Sequence, residues 1–276
     1  MIRISGNVIT PEGITPHYPT GSKEGKIVNK LSSDSIIYNY ASLDELRFEL
    51  NLRKHIIDAA VKLNKSKFSF RTFRNSICNT DYWIRTAEGG FLVREDVLPS
   101  DAVKDILINS GKYGNECATA IVIVYYEALV QIFPAEKFNS LFPRINLMGW
   151  KYLDSDLGIN TVIVASDSIP GDCRYFRNPD VNPLTPWWQG ENVIDLGDGL
   201  YYGHGIGIRT ADGIIQVLNS LRARGATQSA YMLDSVTRLG FRHLAGKYYA
   251  DDFRYWVGNV EIADKYYGTF DAKTIN

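Results

Sequence analysis

The strongest constraint on this chain is the run Ala118 to Val130, almost wholly apolar and broken by one charge, Glu127. A helix that is hydrophobic all round has no face to give to water, so other elements must cover it on every side. The run is shorter than the roughly 20 residues that cross a bilayer. It is therefore read as a buried central helix around which the rest of the chain folds. At 276 residues the chain can wrap such a helix in one sizeable core. With 45% hydrophobic and 22% charged residues, it excludes a disordered chain, a collagen-like fibre and a disulfide-dense miniprotein. Lys and Arg number 30 against 31 Asp and Glu, without a block of like charges, so neither nucleic acid nor a membrane is expected as partner. The first residues carry no apolar stretch of the secretory kind, which points to the cytoplasm.

Along the chain, residues 9 to 35 mix Pro, Gly, Ser, Thr and Lys without a steady period. They read as a loop-rich lead-in after a short first strand, so residues 1 to 40 are expected to hold little chemistry. Ser42 and Glu45 form a capping box, and Leu46, Leu50, Ile57 and Val61 follow at helical spacing, predicting a helix over 43–63. Glu88-Gly89-Gly90 lies between two β-type runs as a hairpin, and a short helix from Ser100 ends before Gly111. From residue 144 the runs 144–153, 161–165, 173–176, 192–196 and 200–208 read as strands of an antiparallel sheet. Helices are expected from Asp212 to Arg224 and from Thr227 to Leu239. Helices, then strands, then helices is the order of an α+β fold in one compact domain. The aromatic-rich tail 246–276 is expected to dock on the body.

Of three cysteines, too few and too scattered for a disulfide framework or a zinc site, Cys117 stands apart. Asn115 is a natural N-cap, placing Cys117 in the first turn of the apolar helix. There the free N–H groups and the positive end of the macrodipole stabilise a thiolate and lower its pKa. The plain alternative is a small buried hydrophobe. Cys78 has no helix-start signal, and Cys173 lies beside Asp172, whose charge would raise its pKa, so both read as structural.

The segment from Trp187 to Leu196 meets Tyr201 to Ile208 across Gly197-Asp198-Gly199, and Asp198-Gly199 is a type I′ turn signal. That register sets Val193 opposite His204 and Glu191 opposite Ile206, so Glu191 and His204 share one face as diagonal neighbours. Gly203, Gly205 and Gly207 alternate on the other face, where a helix could pack closely. His17, His55 and His243 are scattered.

Taken together, Tyr113-Gly114-Asn115-Glu116-Cys117-Ala118-Thr119-Ala120, Gln189-Gly190-Glu191-Asn192-Val193-Ile194, Gly203-His204-Gly205-Ile206-Gly207-Ile208 and Gln228-Ser229-Ala230-Tyr231 resemble the spore-coat transglutaminases of Bacillus and its relatives. The likeness extends to residues 48–53, 70–73, 79–83 and 171–176, spanning about 40 to 240 in order. Asn115 and the pair Trp187-Trp188 differ from the family's usual pattern, which bears on pocket shape.

The resemblance implies a papain-like α+β core and a calcium-independent protein-glutamine γ-glutamyltransferase that uses no cofactor or metal. It would crosslink coat proteins through their Gln and Lys side chains, acting as a monomer in the sporulating mother cell and ending in the spore coat. Cys117 falls on the family's nucleophile and Glu191 on its catalytic glutamate. Glu116 is a substitute or gate, and His204 an orienting residue. Trp150, Trp188, Tyr175 and Phe70 fall at positions near the pocket, where aromatic walls would exclude water and favour aminolysis over hydrolysis of a thioester. The alternatives are a cysteine peptidase or amidase of the same core, with His204 as base to Cys117, and a non-catalytic coat component in which Cys117 only packs.

Overall fold

A computed structural model describes residues 1–10, 13–14, 17–19, 21–163 and 168–250. They divide into two compact units, Met1–Asn51 with the stretch from Gly240, and Leu52–Leu239.

In the first unit, β1 (Ile2–Ile4) pairs antiparallel with β2 (Asn7–Ile9) and parallel with β3 (Tyr38–Tyr40). Between them runs α1 (Lys23–Ser33), where a loop-rich lead-in was expected. Ser22 caps it by accepting the Gly25 N–H, and Ile27, Val28 and Leu31 make a buried stripe, enough to fix a helix in a polar stretch. The long helix α2 (Leu43–Lys65) starts as the capping box required. Ser42 Oγ accepts the Glu45 N–H at 3.1 Å, and the Glu45 carboxylate accepts the Ala41 N–H at 2.7 Å.

The second unit contains everything that positions the site. Short strands β4 (Ser69–Phe70), β5 (Trp83–Arg85) and β6 (Phe91–Val93) lead to α3 (Pro99–Ile108), then to β7 (Gly114–Asn115). The hairpin around Glu88-Gly89-Gly90 is the β5–β6 pair. Next comes α4 (Cys117–Val130), all of whose residues are buried, as its apolar run demands. It is followed by α5 (Ala135–Leu141), β8 (Asn146–Leu147), β9 (Asn160–Ile163), β10 (Cys173–Arg177), β11 (Gly190–Gly197), β12 (Leu200–Gly203), β13 (Gly207–Thr210), α6 (Ala211–Ser220), β14 (Tyr231–Met232) and β15 (Ser235–Arg238). The main sheet has the order β13-β12-β11-β10-β15-β9, with β14 also on β10, and every pair is antiparallel. Helix α4 packs on β11. The class is α+β, with an antiparallel sheet and Cys117 at a helix N-terminus.

Four expectations are corrected. Residues 227–239 carry the short strands β14 and β15 rather than a helix, because Val236 and Thr237 are β-branched and find ladder partners in β9 and β10. The 200–208 run is not one strand but the hairpin β12–β13, turning at residues 204–206, with Gly205 at φ 93° and Gly207 at φ 88°. Helix α6 is capped by Thr210, which accepts the Gly213 N–H, and it ends at Ser220. The 144–153 run keeps only the two-residue β8.

The chain re-enters the first unit with α7 (Phe241–Tyr248), where Arg242 pairs with Glu45 at 2.7 Å and Phe48 packs against Tyr248 and Tyr249. The rest of the expected docked tail, residues 251–276, lies outside the described residues.

Candidate active site

Cys117 is the first residue of α4 and is 4% exposed. The N-cap is Glu116 rather than Asn115. Asn115 sits instead in β7, whose parallel pairing with β4 sets Asn115 beside Phe70. It still serves the helix start, since its Oδ1 accepts the Glu116 N–H at 2.9 Å while its Nδ2 donates to the Gly89 carbonyl. Upstream, Tyr113 Oη donates to buried Asp105, which also accepts from Asn79 and Asn109. This network anchors the strand that delivers the cysteine.

Two carboxyls and an amide face the sulfur. The Cys117 thiol donates to Glu116 Oε2 at 3.7 Å, and Asn192 Nδ2 donates to Cys117 Sγ at 3.6 Å. Glu191, from β11, is fully buried. Among the described residues, neither of its oxygens makes a hydrogen bond of ordinary geometry. The Cys117 thiol and the main-chain N–H of His204 approach them and favour the charged form. Gly203 leaves the space it fills, for a Cβ there would stand 2.9 Å from Glu191 Oε1.

Burial decides the protonation of this group. It pushes Glu191 well above the usual carboxylate range, and the charge of Glu116 adds to it. Glu116 is also raised by burial, but the Cys117 thiol and the free N–H groups of Ala118 and Thr119 offset part of that. The Cys117 thiol is pushed well up, by burial first and then by Glu191 and Glu116, against the pull of the Asn192 N–H groups. The lowered pKa expected from the helix N-terminus is therefore reversed. A macrodipole equivalent to about half a charge is outweighed by desolvation beside two carboxyls. The resting sulfur is a thiol.

His204 lies in the β12–β13 turn, not opposite Val193. A bulge between Asp195 and Gly197 shifts the ladder by one residue, so Val193 pairs with Gly203. Its Nδ1 meets Tyr202 Oη at 3.2 Å, and its ring packs against Phe68 and Phe70. Burial lowers its pKa to about 4, so the imidazole is neutral at physiological pH. Of the three alternating glycines, Gly203 lies against Glu191 and Val193, Gly205 against Phe70 and Trp188, and only Gly207 is approached by a long helix, through Asn64 of α2.

The expected wall aromatics Phe70, Trp150, Tyr175 and Trp188 are all half-buried. Phe70 and Trp188 stack at 4.7 Å and 13°. Tyr175 is raised by burial and then by Cys117 and Glu191, which places its phenol among the site's charges. Trp150 follows Gly149, where a Cβ would stand 3.4 Å from Glu116. Cys78, raised to about 11, and Cys173, raised further, owe this to burial first, and Asp172 contributes at Cys173. Sequence reasoning missed Asn192 and Tyr202. The signal for Asn192 was a second polar residue directly after Glu191 in an apolar strand.

Residues 1–249 match the model of the protein-glutamine gamma-glutamyltransferase family. The curated protein-glutamine gamma-glutamyltransferases of Bacillus cereus (strain AH820) and Bacillus anthracis (strain A0248) are 43% identical over 242 residues, covering 88% of this chain and 87% of theirs. A solved transglutaminase from Geobacillus stearothermophilus, without its C-terminal extension, is 50% identical with a TM-score of 0.71, covering 75% of this chain and 98% of its own. With nearly all of the described chain inside that family model, and a buried thiol flanked by two carboxyls at a helix start, the chain belongs to the protein-glutamine gamma-glutamyltransferase family of transferases.

Proposed function

We propose that the chain joins protein glutamines to protein lysines through a thioester on Cys117, without calcium. The observation that carries this reading is the arrangement of one thiol with two carboxyls held in different environments. Pairs of titratable groups whose surroundings separate their pKa values divide the acid and base roles. Glu116 is positioned as base, since its Oε2 already accepts the thiol hydrogen. Glu191, buried and protonated, is positioned as acid.

As sulfur adds to the carboxamide carbon, the thiol proton passes to Glu116. The C–N bond then breaks, and the amino group leaves as ammonia with the proton of Glu191. A lysine amine next attacks the thioester and gives its proton to Glu191. The sulfur leaves with the proton held by Glu116, which restores the thiol and both carboxyls. His204, neutral and bonded to Tyr202, orients the turn that carries its N–H to Glu191 rather than acting as base. Phe70, Trp188, Tyr175 and Trp150 line the approach and keep water from the thioester. The motif resemblance supports spore-coat proteins as substrates, action in the sporulating mother cell and deposition in the coat, by a monomer.

The test is incorporation of a fluorescent primary amine into a glutamine-containing protein, with EDTA present, by wild type and Cys117→Ala. Incorporation lost only in the variant is the expected result. Glutamine deamidation or peptide cleavage without incorporation would move the enzyme to a hydrolase.

A further inference from the structure

Strand β12 stops at Gly203, opposite Val193, so β11 has no ladder partner on that side from Asn192 back to Gly190. The N-terminus of α4 fills the gap. Asn192 pairs with Tyr175 on its other side, and its main-chain N–H faces the Cys117 sulfur. Its side-chain Nδ2 donates to the same sulfur at 3.6 Å. Two donors from one residue thus converge on a neutral thiol, a weak acceptor. That geometry does little for the resting protein. It acquires a strong acceptor once sulfur has added to a carbonyl, because the new oxyanion sits on the carbon bonded to that sulfur.

We propose that Asn192 is a catalytic residue that stabilises the tetrahedral oxyanion through its side-chain amide and its main-chain N–H, assisted by the free N–H of Cys117 at the first position of α4. This rests on the acyl-transfer reading of Cys117. When the S–C bond forms, the carbonyl π pair moves onto oxygen and is held by these N–H groups. When the C–N bond breaks in acylation, or the C–S bond in aminolysis, the pair returns to re-form C=O. Both half-reactions pass through a tetrahedral intermediate with its oxyanion on the carbon bonded to Cys117 sulfur, so one residue serves both. Glu191 and Glu116 stay with the protons, and Asn192 takes the charge that neither carboxyl can accept.

The experiment compares wild type with Asn192→Ala and with Asn192→Leu, which keeps most of the volume without a donor. Removing one oxyanion donor lowers turnover by about 10²–10³-fold. The expected result is a loss of that size in kcat/KM for a glutamine donor peptide in both variants, with the ratio of amine incorporation to hydrolysis unchanged. Alkylation of Cys117 by iodoacetamide forms no oxyanion, so its rate against pH should move far less. Near wild-type turnover in either variant would overturn the proposal, as would alkylation falling in step with turnover, which would assign Asn192 to the sulfur. Absence of Cys117-dependent acyl transfer in the wild type would overturn the parent reading instead, a result visible before any variant is made.

Discussion

The carboxyl of Glu191 stands where a side chain at position 203 would otherwise be. A Cβ on Gly203 would lie 2.9 Å from Glu191 Oε1, 3.0 Å from its Cγ and 3.3 Å from Val193 Cγ1. The ladder pairs Gly203 with Val193, so the missing side chain opens the room for the buried acid beside the end of β12. Gly203→Ala must then displace Glu191 or open the sheet. Overpacking of this kind costs about 1–3 kcal/mol. A lower Tm together with loss of amine incorporation, while Cys117 still reacts with iodoacetamide, is the expected outcome. Full incorporation would show that Glu191 tolerates the shift and that its placement does not depend on the glycine.

Legibility in the sequence followed the range of the interactions. The α4 run and the Ser42–Glu45 box were readable because both are local: one is a hydrophobic pattern, the other a cap four residues long. The same holds for Asp198-Gly199, whose turn is present with Asp198 at φ 55° and Gly199 at φ 73°. What the turn could not reveal was the bulge between Asp195 and Gly197, which set Val193 opposite Gly203 instead of His204, or the second turn at 204–206 that takes His204 out of the ladder. The 227–239 strands were missed because their stabilisation comes from β9 and β10, far away in sequence. Cys117 was placed correctly at a helix start, but its protonation was misread, since the burial and the two carboxyls that set it arrive only with the tertiary fold. Asn192 escaped for the same reason: its amide matters only once α4 has docked at the end of β12.

Alkylation of Cys117 and amine incorporation should respond in opposite directions to one substitution. Burial first, and then the charges that Glu191 and Glu116 carry once ionised, hold the Cys117 pKa up. Replacing Glu191 by Gln removes one of those charges, so the thiolate should form at lower pH and iodoacetamide should label Cys117 faster at a given mildly alkaline pH. The same variant has no proton for the leaving ammonia and should lose amine incorporation. In the wild type, incorporation should fall on the alkaline side as Glu191 ionises. A Glu191→Gln enzyme that keeps normal turnover would remove Glu191 from the acid role.

Glu127 is a buried carboxyl near the C-terminal end of α4, away from the reacting sulfur. Burial raises it to about 8, eased by Lys62 and Lys104, and its Oε1 has no hydrogen-bond partner among the described residues. Its folded pKa lies above the unfolded value near 4.5, so the stabilisation of the protonated form is complete below that value and is lost as pH rises towards 8. Glu127→Gln should therefore leave Tm nearly unchanged at pH 4.5 and raise it increasingly towards pH 8, by up to about 1.4 kcal/mol of stability for each pH unit in that window. A Tm gain independent of pH would mean that packing, not ionisation, separates the two proteins.

The stack of Trp188 on Phe70, at 4.7 Å and 13°, roofs the turn that carries His204, and a Cβ at Gly205 would stand 2.8 Å from Phe70 and 3.1 Å from Trp188. If this wall keeps water from the thioester, Trp188→Ala should shift the partition of the acyl group as well as slow its formation. Mass spectrometry of a glutamine peptide incubated with saturating amine separates the two products, the amine adduct and the glutamate formed by hydrolysis. The expected result is a larger glutamate share in the variant than in the wild type, with the total of both products reduced. Equal shares with a lower total would confine Trp188 to packing, and the preference for amine over water would have to come from the amine's own binding contacts.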